Sequence, residues 1–180
     1  MNEIENFKEG IFNLYTTRFG TMAELMIQKI YNMQNTNTNA YDKLLNDERI
    51  EIKFSRVLTE HIRPIRMNNV IEQCLASSSI HRWISYAQRE ESKFDCNIQQ
   101  VKPSEFDWLY YGLFFQDKII IFKISSEQIA SLPQYSNKQH KGNVGEGQFH
   151  ITTTNLEYHI QHHLINSISY NELYNLFKEE

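Results

Sequence analysis

Hydrophobic residues recur at helical spacing near the start of the chain. Between Phe19 and Met33 they fall at Ala23, Met26, Ile27, Ile30 and Tyr31. Residues three and four positions apart share one face of a helix, so this pattern predicts an amphipathic helix with one buried face. Thr21 is followed three positions later by Glu24, which has the form of a capping box. We therefore expect this helix to start at Gly20 and Thr21.

Strand-like stretches follow, and the first two predict a hairpin. Tyr41–Leu45 and Arg49–Val57 are separated by Asn46 and Asp47, residues that tolerate the positive φ of a tight turn. Within the second stretch, apolar Ile50, Ile52 and Phe54 alternate with polar Glu51, Lys53 and Ser55. Successive side chains of a strand point to opposite faces, so a carboxylate and an ammonium group share one face.

The rest of the chain shows both helical and strand patterns. Further strands are predicted at Ile98–Val101, Phe106–Phe115, Lys118–Ile124 and Phe149–Thr154. Helices are predicted at Val70–Leu75, Ile80–Ala87, Ser126–Leu132, Leu156–Ile165 and from a Ser169/Glu172 capping box through Phe177. Pro133–Gln148 carries three glycines and has no apolar period, so we expect an exposed loop there.

Composition and charge narrow the class of protein. With 180 residues, of which 41% are hydrophobic, one globular domain covering residues 1–180 is expected. The net charge of -4 argues against a protein that coats nucleic acid through a large positive field, but it allows a local basic groove. The first residues lack the basic start of a signal peptide, and no stretch approaches the ~18 apolar residues of a membrane span. We therefore expect a cytoplasmic protein.

The hairpin brings two carboxylates to the same face as a lysine. If Asn46 and Asp47 form a two-residue turn, Asp42 lies opposite Glu51, about 4.5–5.5 Å away by Cα. A four-residue turn would place Asp42 opposite Lys53 on the same face, whereas a three-residue turn would move it to the other face. Close carboxylates repel each other unless a cation lies between them, and Mg²⁺ with oxygen ligands is the common solution. A lysine beside the metal can orient the attacking water or help to deprotonate it, and it can stabilise charge on a phosphate.

The run Asp42-x8-Glu51-Ile52-Lys53 resembles the PD-(D/E)xK nucleases, which include the type II restriction enzymes. Glu24 matches the acidic residue that these enzymes often carry on a helix ahead of the hairpin. The strands that follow the hairpin match the family's order of elements. One departure is Tyr41, which stands where the family motif has a proline.

The resemblance implies a restriction-endonuclease-like α/β fold, whose central mixed β-sheet is flanked by helices. It also implies Mg²⁺ bound by Asp42, Glu51 and the Ile52 carbonyl, with Lys53 positioning the attacking water and Glu24 as a further catalytic carboxylate. The expected activity is that of a type II restriction endonuclease, which hydrolyses double-stranded DNA at a specific sequence and leaves 5′-phosphate and 3′-hydroxyl ends. Expected partners are a second copy of the chain, in a homodimer, and a cognate DNA methyltransferase acting in the same system.

Two alternatives stay open. The first is a structure-specific or repair nuclease with the same hairpin, such as a Holliday-junction resolvase or a nicking subunit. The second is a non-enzymatic DNA-binding domain in which Glu51 and Lys53 form a surface ion pair. Glu24 has an alternative of its own, because the capping box would explain it without catalysis.

Amide, imidazole and cationic side chains are concentrated in residues 137–143. Lysines can contact phosphates or guanine edges, and Asn or Gln can pair with adenine. The strand that follows has a polar face that could lie along DNA. The candidate DNA contacts are therefore Arg56, Lys138, Gln139, His140, Lys141, Asn143, Gln148 and His150. The alternative for residues 137–143 is a flexible solvated loop.

The histidines and cysteines give weaker signals. His159, His162 and His163 lie at helical spacing, but no fourth zinc ligand is visible, so we predict a polar helix face. Cys74 and Cys96 lie in no paired motif, and we expect both to be small buried hydrophobes.

Overall fold

The computed structural model describes residues 2–59, 63–75, 79–138 and 144–178. The helices in these ranges are α1 (Glu3–Asn13), α2 (Thr16–Tyr31), α3 (Val70–Leu75), α4 (Leu156–His163) and α5 (Tyr170–Lys178). The strands are β1 (Gln34–Asn35), β2 (Lys43–Leu45), β3 (Glu48–Arg56), β4 (Asp95–Val101), β5 (Trp108–Phe114), β6 (Ile119–Ser125), β7 (Ser136–Lys138), β8 (Val144–Thr152) and β9 (Leu164–Ile168). Short 3-10 turns cover Ser79–Arg82, Tyr86–Gln88 and Ser126–Ser131.

Six strands form a central sheet in the order β1-β2-β3-β5-β6-β9. β3 and β5 run parallel, from Ile50 opposite Trp108 to Arg56 opposite Phe114, and the other neighbours are antiparallel. β4, β8 and β7 form a second, antiparallel sheet. The predicted α/β architecture, with a mixed sheet flanked by helices, is confirmed at this level.

The two faces of the central sheet pack against different layers. On one face, Ile50, Ile52 and Phe114 join an apolar cluster with residues of α1, α2 and α5. On the other face, Leu109 and Tyr111 join a cluster with residues of β4, β8 and α4. Because side chains alternate along β3, its apolar residues pack toward α2 while Glu51 and Lys53 belong to the opposite face.

Gly112 of β5 allows the ring of Phe54 to lie against the sheet. A Cβ at this position would lie 2.2 Å from the Ile120 carbonyl oxygen and 2.3 Å from Phe54 Cε1. Phe54 lies opposite Gly112 in the strand register, and its ring meets Phe114 edge to face at a centroid distance of 5.7 Å. This packing fixes which side of β3 faces α2, and so it fixes the face on which Lys53 lies.

The predicted amphipathic helix is confirmed, but its predicted start is wrong. α2 begins at Thr16, and Phe19 adds to the buried face of its first turns. The Thr21 hydroxyl donates to the Thr17 carbonyl oxygen at 3.2 Å, as a residue within a helix does. The capping box with Glu24 is therefore wrong, and Glu24 is a mid-helix residue that needs another explanation.

Three other predicted elements are corrected. Ile80–Ala87 is two 3-10 turns rather than one helix, and Pro133–Gln148 is not a continuous loop, because β7 and the start of β8 lie within it. The helix predicted to reach Ile165 ends at His163, where β9 begins and pairs with β6. Sheet pairing with a distant strand overrides the local pattern in β8 and β9. The hairpin strands, β5, β6 and the Ser169/Glu172 cap of α5 are confirmed.

The predicted polar face of the histidine helix is wrong at His159. This side chain is 0% exposed, and its Nδ1 is hydrogen bonded to the Tyr111 hydroxyl at 2.9 Å. Burial, with a smaller contribution from nearby His163, lowers the pKa of His159 to about 4, so the ring is a neutral core group at neutral pH. Cys96 is buried as expected, whereas Cys74 is exposed because α3 has no buried residue.

None of the helices in the described ranges has both the length and the apolar content to cross a bilayer.

Candidate active site

The turn between β2 and β3 is the two-residue turn that the sequence predicted, and it sets how the two strands pair. Asn46 and Asp47 both have positive φ, at 51° and 66°, which matches the twist of a two-residue hairpin turn. Leu45 pairs with Glu48 and Lys43 pairs with Ile50. The same register continued by one residue places Asp42 opposite Glu51, so the two-residue turn is confirmed and the other turn lengths are excluded.

Asp42 lies one residue before β2, where the ladder with β3 ends. Its backbone N–H donates to the Ile50 carbonyl oxygen at 2.9 Å. Its carboxylate Oδ2 accepts the Ile52 N–H at 2.8 Å. The side chain thus takes the place of a strand carbonyl, and two hydrogen bonds to β3 hold the carboxylate beside the polar face of that strand.

Lys53 interacts with both acids. Its ammonium group donates to Glu51 Oε1, and its Nζ lies 3.7 Å from Asp42 Oδ2. The side chain of Glu51 is 11% exposed, that of Asp42 21% and that of Lys53 26%. One cation therefore compensates two carboxylates in a site that is largely removed from water.

Burial and charge change the proton affinity of these groups. Burial raises the pKa of Glu51 from its ordinary value near 4.5 to about 7; Lys53 opposes this shift and Asp42 adds to it. Burial alone would lower the pKa of Lys53, but Glu51 and Asp42 together raise it above its usual range. Lys53 therefore keeps its proton at neutral pH, while Glu51 gains or loses one there.

Glu24 approaches the same charges from α2. Burial raises the pKa of Glu24, and Asp42 raises it further, while Lys53 and Lys43 lower it. Lys43 is itself buried and donates to Asn35 Oδ1 at 2.8 Å. Glu24 thus interacts electrostatically with the hairpin cluster, by which we mean Asp42, Glu51 and Lys53.

A cleft of about 400 Å³ opens beside the cluster. Lys53 and Glu24 both line it, together with Ile52 and Phe54 of β3. One wall is the N-terminal half of α2, and the other is β4 at Asn97, Gln99 and Gln100. A substrate in this cleft would lie against the candidate catalytic lysine.

The donor set of the hairpin fits Mg²⁺. Asp42, Glu51 and the Ile52 carbonyl supply hard oxygen ligands. Mg²⁺ is commonly held by one or two carboxylates, with waters and substrate phosphates in the remaining positions. Across the described residues, no three His, Cys, Asp or Glu side chains form a group that could hold a metal on their own. The fit is therefore to a two-carboxylate site that substrate and water would complete.

Several candidate DNA contacts are held by bonds within the protein. Arg56 Nη1 donates to the Phe12 and Leu14 carbonyl oxygens at 2.6 and 2.8 Å, so it fastens the end of α1 to β3. His150 Nδ1 lies 2.6 Å from Asp95 Oδ1, and Gln148 Oε1 accepts from Asn97 Nδ2 at 3.2 Å. The polar face predicted for the strand exists, but its groups already have partners.

Of the remaining candidates, the structure describes one, at the end of β7. Lys138 is exposed there, opposite Val144 of β8. Gln139, His140, Lys141 and Asn143 lie outside the described residues.

Sequence reasoning missed the cleft wall formed by β4. The apolar pattern predicted only a strand at Ile98–Val101, and nothing local indicates that Asn97, Gln99 and Gln100 line the same cleft as Lys53. The consecutive amides Gln99 and Gln100 are the one signal that could have drawn attention to this segment.

No protein-family model matches the sequence, and a search of curated proteins finds no similar chain.

Proposed function

We propose that this protein is a Mg²⁺-dependent endonuclease that cuts double-stranded DNA at a specific sequence, as a type II restriction enzyme does. The observation that carries the proposal is the position of Lys53, whose ammonium lies between the carboxylates of Asp42 and Glu51 and lines an open cleft. The restriction-endonuclease-like fold is part of this proposal. It is supported by the mixed sheet whose β3 carries the acidic hairpin.

The burial of the cluster favours a catalytic role over a surface ion pair. Removing charged groups from water costs free energy, and Glu51, taken as a whole residue, is 9% exposed. A cluster with two acids and one lysine leaves one negative charge uncompensated. A bound divalent cation would compensate this charge. Metal binding therefore explains why the cluster has a second acid, whereas a structural ion pair needs only one.

The residues have separate roles in the proposed hydrolysis. Asp42, Glu51 and the Ile52 carbonyl would hold Mg²⁺, which would supply charge that polarises the phosphate and activates water. Lys53 keeps its proton at Nζ, so it orients the attacking water and stabilises negative charge on the phosphate rather than acting as a base. The water oxygen bonds to phosphorus while the bond from phosphorus to the 3′ oxygen breaks. The attacking water gives up one proton to solvent and the departing 3′ oxygen takes one from solvent, leaving 5′-phosphate and 3′-hydroxyl ends.

A double-strand cut requires two hairpins, so we propose that the active form is a homodimer. Apolar side chains are exposed in and next to α3, where Met67 is 97%, Ile71 74% and Leu75 78% exposed. The second hairpin must come from another copy, so we assign this surface to that copy. Light scattering should give the mass of two chains on duplex DNA, whereas a monomer both free and on DNA would contradict the dimer. A cognate DNA methyltransferase would protect the host sites.

Digestion of mixed genomic DNA with Mg²⁺, followed by sequencing of the ends, tests the proposed activity. Ends that share one sequence are expected. With Ca²⁺ instead of Mg²⁺ the protein should bind the same site without cutting it, because Ca²⁺ accepts oxygen ligands with looser geometry. Cutting that follows DNA structure, such as a four-way junction, would identify a resolvase or repair nuclease. Absence of Mg²⁺-dependent cutting would overturn the nuclease and support a non-enzymatic binding domain.

A further inference from the structure

The strand β4 contains a bulge at the cleft. β4 pairs with β8 regularly from Asp95 opposite Thr152 to Ile98 opposite Phe149, and pairing resumes with Val101 opposite Gly147. Between these points, Gln99 and Gln100 on β4 face the single residue Gln148 on β8. A bulge of this kind redirects side chains, and such bulges are frequent beside active sites.

The backbone at the bulge is strained. Gln100 has a φ of 58°, in the left-handed region that a glutamine rarely adopts. Neither Gln99 nor Gln100 is held by a side-chain hydrogen bond among the described residues, so no such bond from that part of the chain compensates the strain. Strained residues of this kind concentrate at ligand sites, where the conformation serves binding.

The amides of the bulge are available, unlike their neighbours. Both side chains are exposed, and both line the cleft that also contains Lys53. Asn97, two residues earlier, donates through Nδ2 to Gln148, while its Oδ1 is buried and accepts no hydrogen bond from the described residues.

The chemistry of the cleft favours base edges over phosphates. Apart from the charged Glu24 and Lys53, its polar lining is made of amides from β4 and of hydroxyls from Thr16, Thr17 and Thr21 of α2. Lys53 is the one cation among the described lining residues. Phosphate-binding surfaces are rich in Lys and Arg, whereas Gln and Asn amides pair bidentately with adenine, and their oxygens accept from exocyclic amino groups.

We infer that the Gln99–Gln100 bulge reads base edges of duplex DNA next to the cleavage site. The inference deepens the proposed function and rests on it for the identity of the ligand. It moves sequence recognition from residues 137–143 to the strand that faces the catalytic lysine. The preferred bases include adenine.

Selection from a library of random duplexes, with Ca²⁺ in place of Mg²⁺ so that bound DNA stays intact, tests this inference. The wild-type chain should enrich one motif. Gln99→Ala and Gln100→Ala should each lose the preference at one or two positions of it. Each should weaken binding to the wild-type motif by roughly 5- to 100-fold, and leave affinity for unrelated duplex within about twofold.

Two further variants separate recognition from folding. Gln134 is an exposed glutamine with the same φ of 58° outside the cleft, so Gln134→Ala is a matched control that should keep the wild-type motif and affinity. Gln100→Gly removes the amide and relieves the strain, so it should lose the preference without a lower melting temperature.

The outcomes distinguish the inference from the proposed function. If the wild-type chain cuts at one sequence and both alanine variants select the same motif with the same affinity, the bulge does not read bases, and the nuclease stands. A wild-type chain that selects no motif also overturns the inference. If selection depends on Gln99 and Gln100 but Mg²⁺ supports no cutting, the inference holds for a binding domain and the nuclease fails.

Discussion

The hairpin of β2 and β3 and the paired strands β4 and β8 both present polar faces, but the two faces differ in charge balance. Outside the bulge at Gln99 and Gln100, polar side chains of β4 and β8 pair with one another, as His150 pairs with Asp95 and Gln148 with Asn97. On the hairpin, the one ammonium of Lys53 serves two acids. Alternation in a sequence predicts a polar face equally well in both regions. Whether that face is available to a ligand depends on partners from other parts of the chain.

Substitutions in the hairpin cluster should have the largest effect on the rate of DNA cleavage. In the proposed mechanism, Lys53→Met would remove the group that stabilises charge on the phosphate, and Asp42→Asn would remove a metal ligand. We expect each to lower the rate of DNA cleavage by roughly 10²-fold or more, since a single stabilising donor in an active site has an effect of this size.

Glu48→Gln is the matched control for these variants, because Glu48 is exposed on the same strand and outside the cluster. Its cleavage rate should equal that of the wild type. Wild-type cleavage by Lys53→Met, measured with folded protein, would remove Lys53 from the mechanism.

The second largest effect is expected in the pH dependence of cleavage, which should follow the ionisation of Glu51. The pKa of Glu51 is raised to about 7, and only its carboxylate form can hold a cation. At low Mg²⁺, cleavage should rise as pH increases through about 7. Because Mg²⁺ competes with the proton, higher Mg²⁺ should move this rise to lower pH.

The shift with Mg²⁺ concentration is the decisive readout for Glu51. Rates of plasmid cleavage between pH 5.5 and 8.5, at a series of Mg²⁺ concentrations, measure it. A profile with the same midpoint at every concentration would assign the titration to another group.

Glu51→Gln should stabilise the protein at alkaline pH while abolishing cleavage. The pKa of Glu51 is near 4.5 in the unfolded chain and about 7 in the folded one, so the folded state binds the proton more tightly. Stability conferred by the protonated group is therefore complete below pH 4.5 and is lost as pH rises through about 7. The variant avoids this loss, and its Oε1 can still accept from Lys53.

Thermal unfolding with a chelator present checks this prediction. At pH 8 the melting temperature of Glu51→Gln should exceed that of the wild type by roughly 2–6 °C, and near pH 4 the two should agree. A wild-type chain that is the more stable of the two at pH 8 would show that the ionised carboxylate is well compensated without a metal.

The smallest effect on stability and on DNA affinity is expected for polar side chains that already have partners within the protein. His150→Ala breaks the contact between His150 and Asp95, whose side chains are 30% and 41% exposed. Such pairs contribute about 0.5 kcal/mol, so the free energy of unfolding should change by no more than that. Affinity for cognate DNA in Ca²⁺ should stay within about twofold. A loss of tenfold or more would show that His150 leaves Asp95 to contact DNA, as the sequence alone suggested.

The parts that were predictable from sequence are those fixed by neighbouring residues. The hairpin follows from alternation and from two residues that accept positive φ, and these fix Asp42, Glu51 and Lys53 on one face. The burial of β5 and β6 follows from their continuous apolar runs.

The parts that were not predictable depend on pairing between distant segments. The bulge at Gln99 and Gln100 exists because β8 has one residue fewer between the same two pairs, which no local pattern of β4 reveals. Thr21 and Glu24 have the spacing of a capping box, but the helix starts a turn earlier because Phe19 has a place in the core. From the sequence, Arg56 is a candidate DNA contact. In the structure, its guanidinium donates to carbonyl oxygens at the end of α1.

The contact between Gly112 and Phe54 has a consequence for genetics. The nearest neighbour of an added Cβ is a backbone oxygen at 2.2 Å, which cannot yield without moving a central strand. Gly112 lies far from the cluster in sequence, and it contributes no side chain to chemistry. In a random screen for loss of the protein's activity in cells, Gly112→Ala would nevertheless be recovered with the catalytic mutants. It would be recognised by low soluble yield and by rescue at reduced growth temperature, which a lesion at Lys53 would not show.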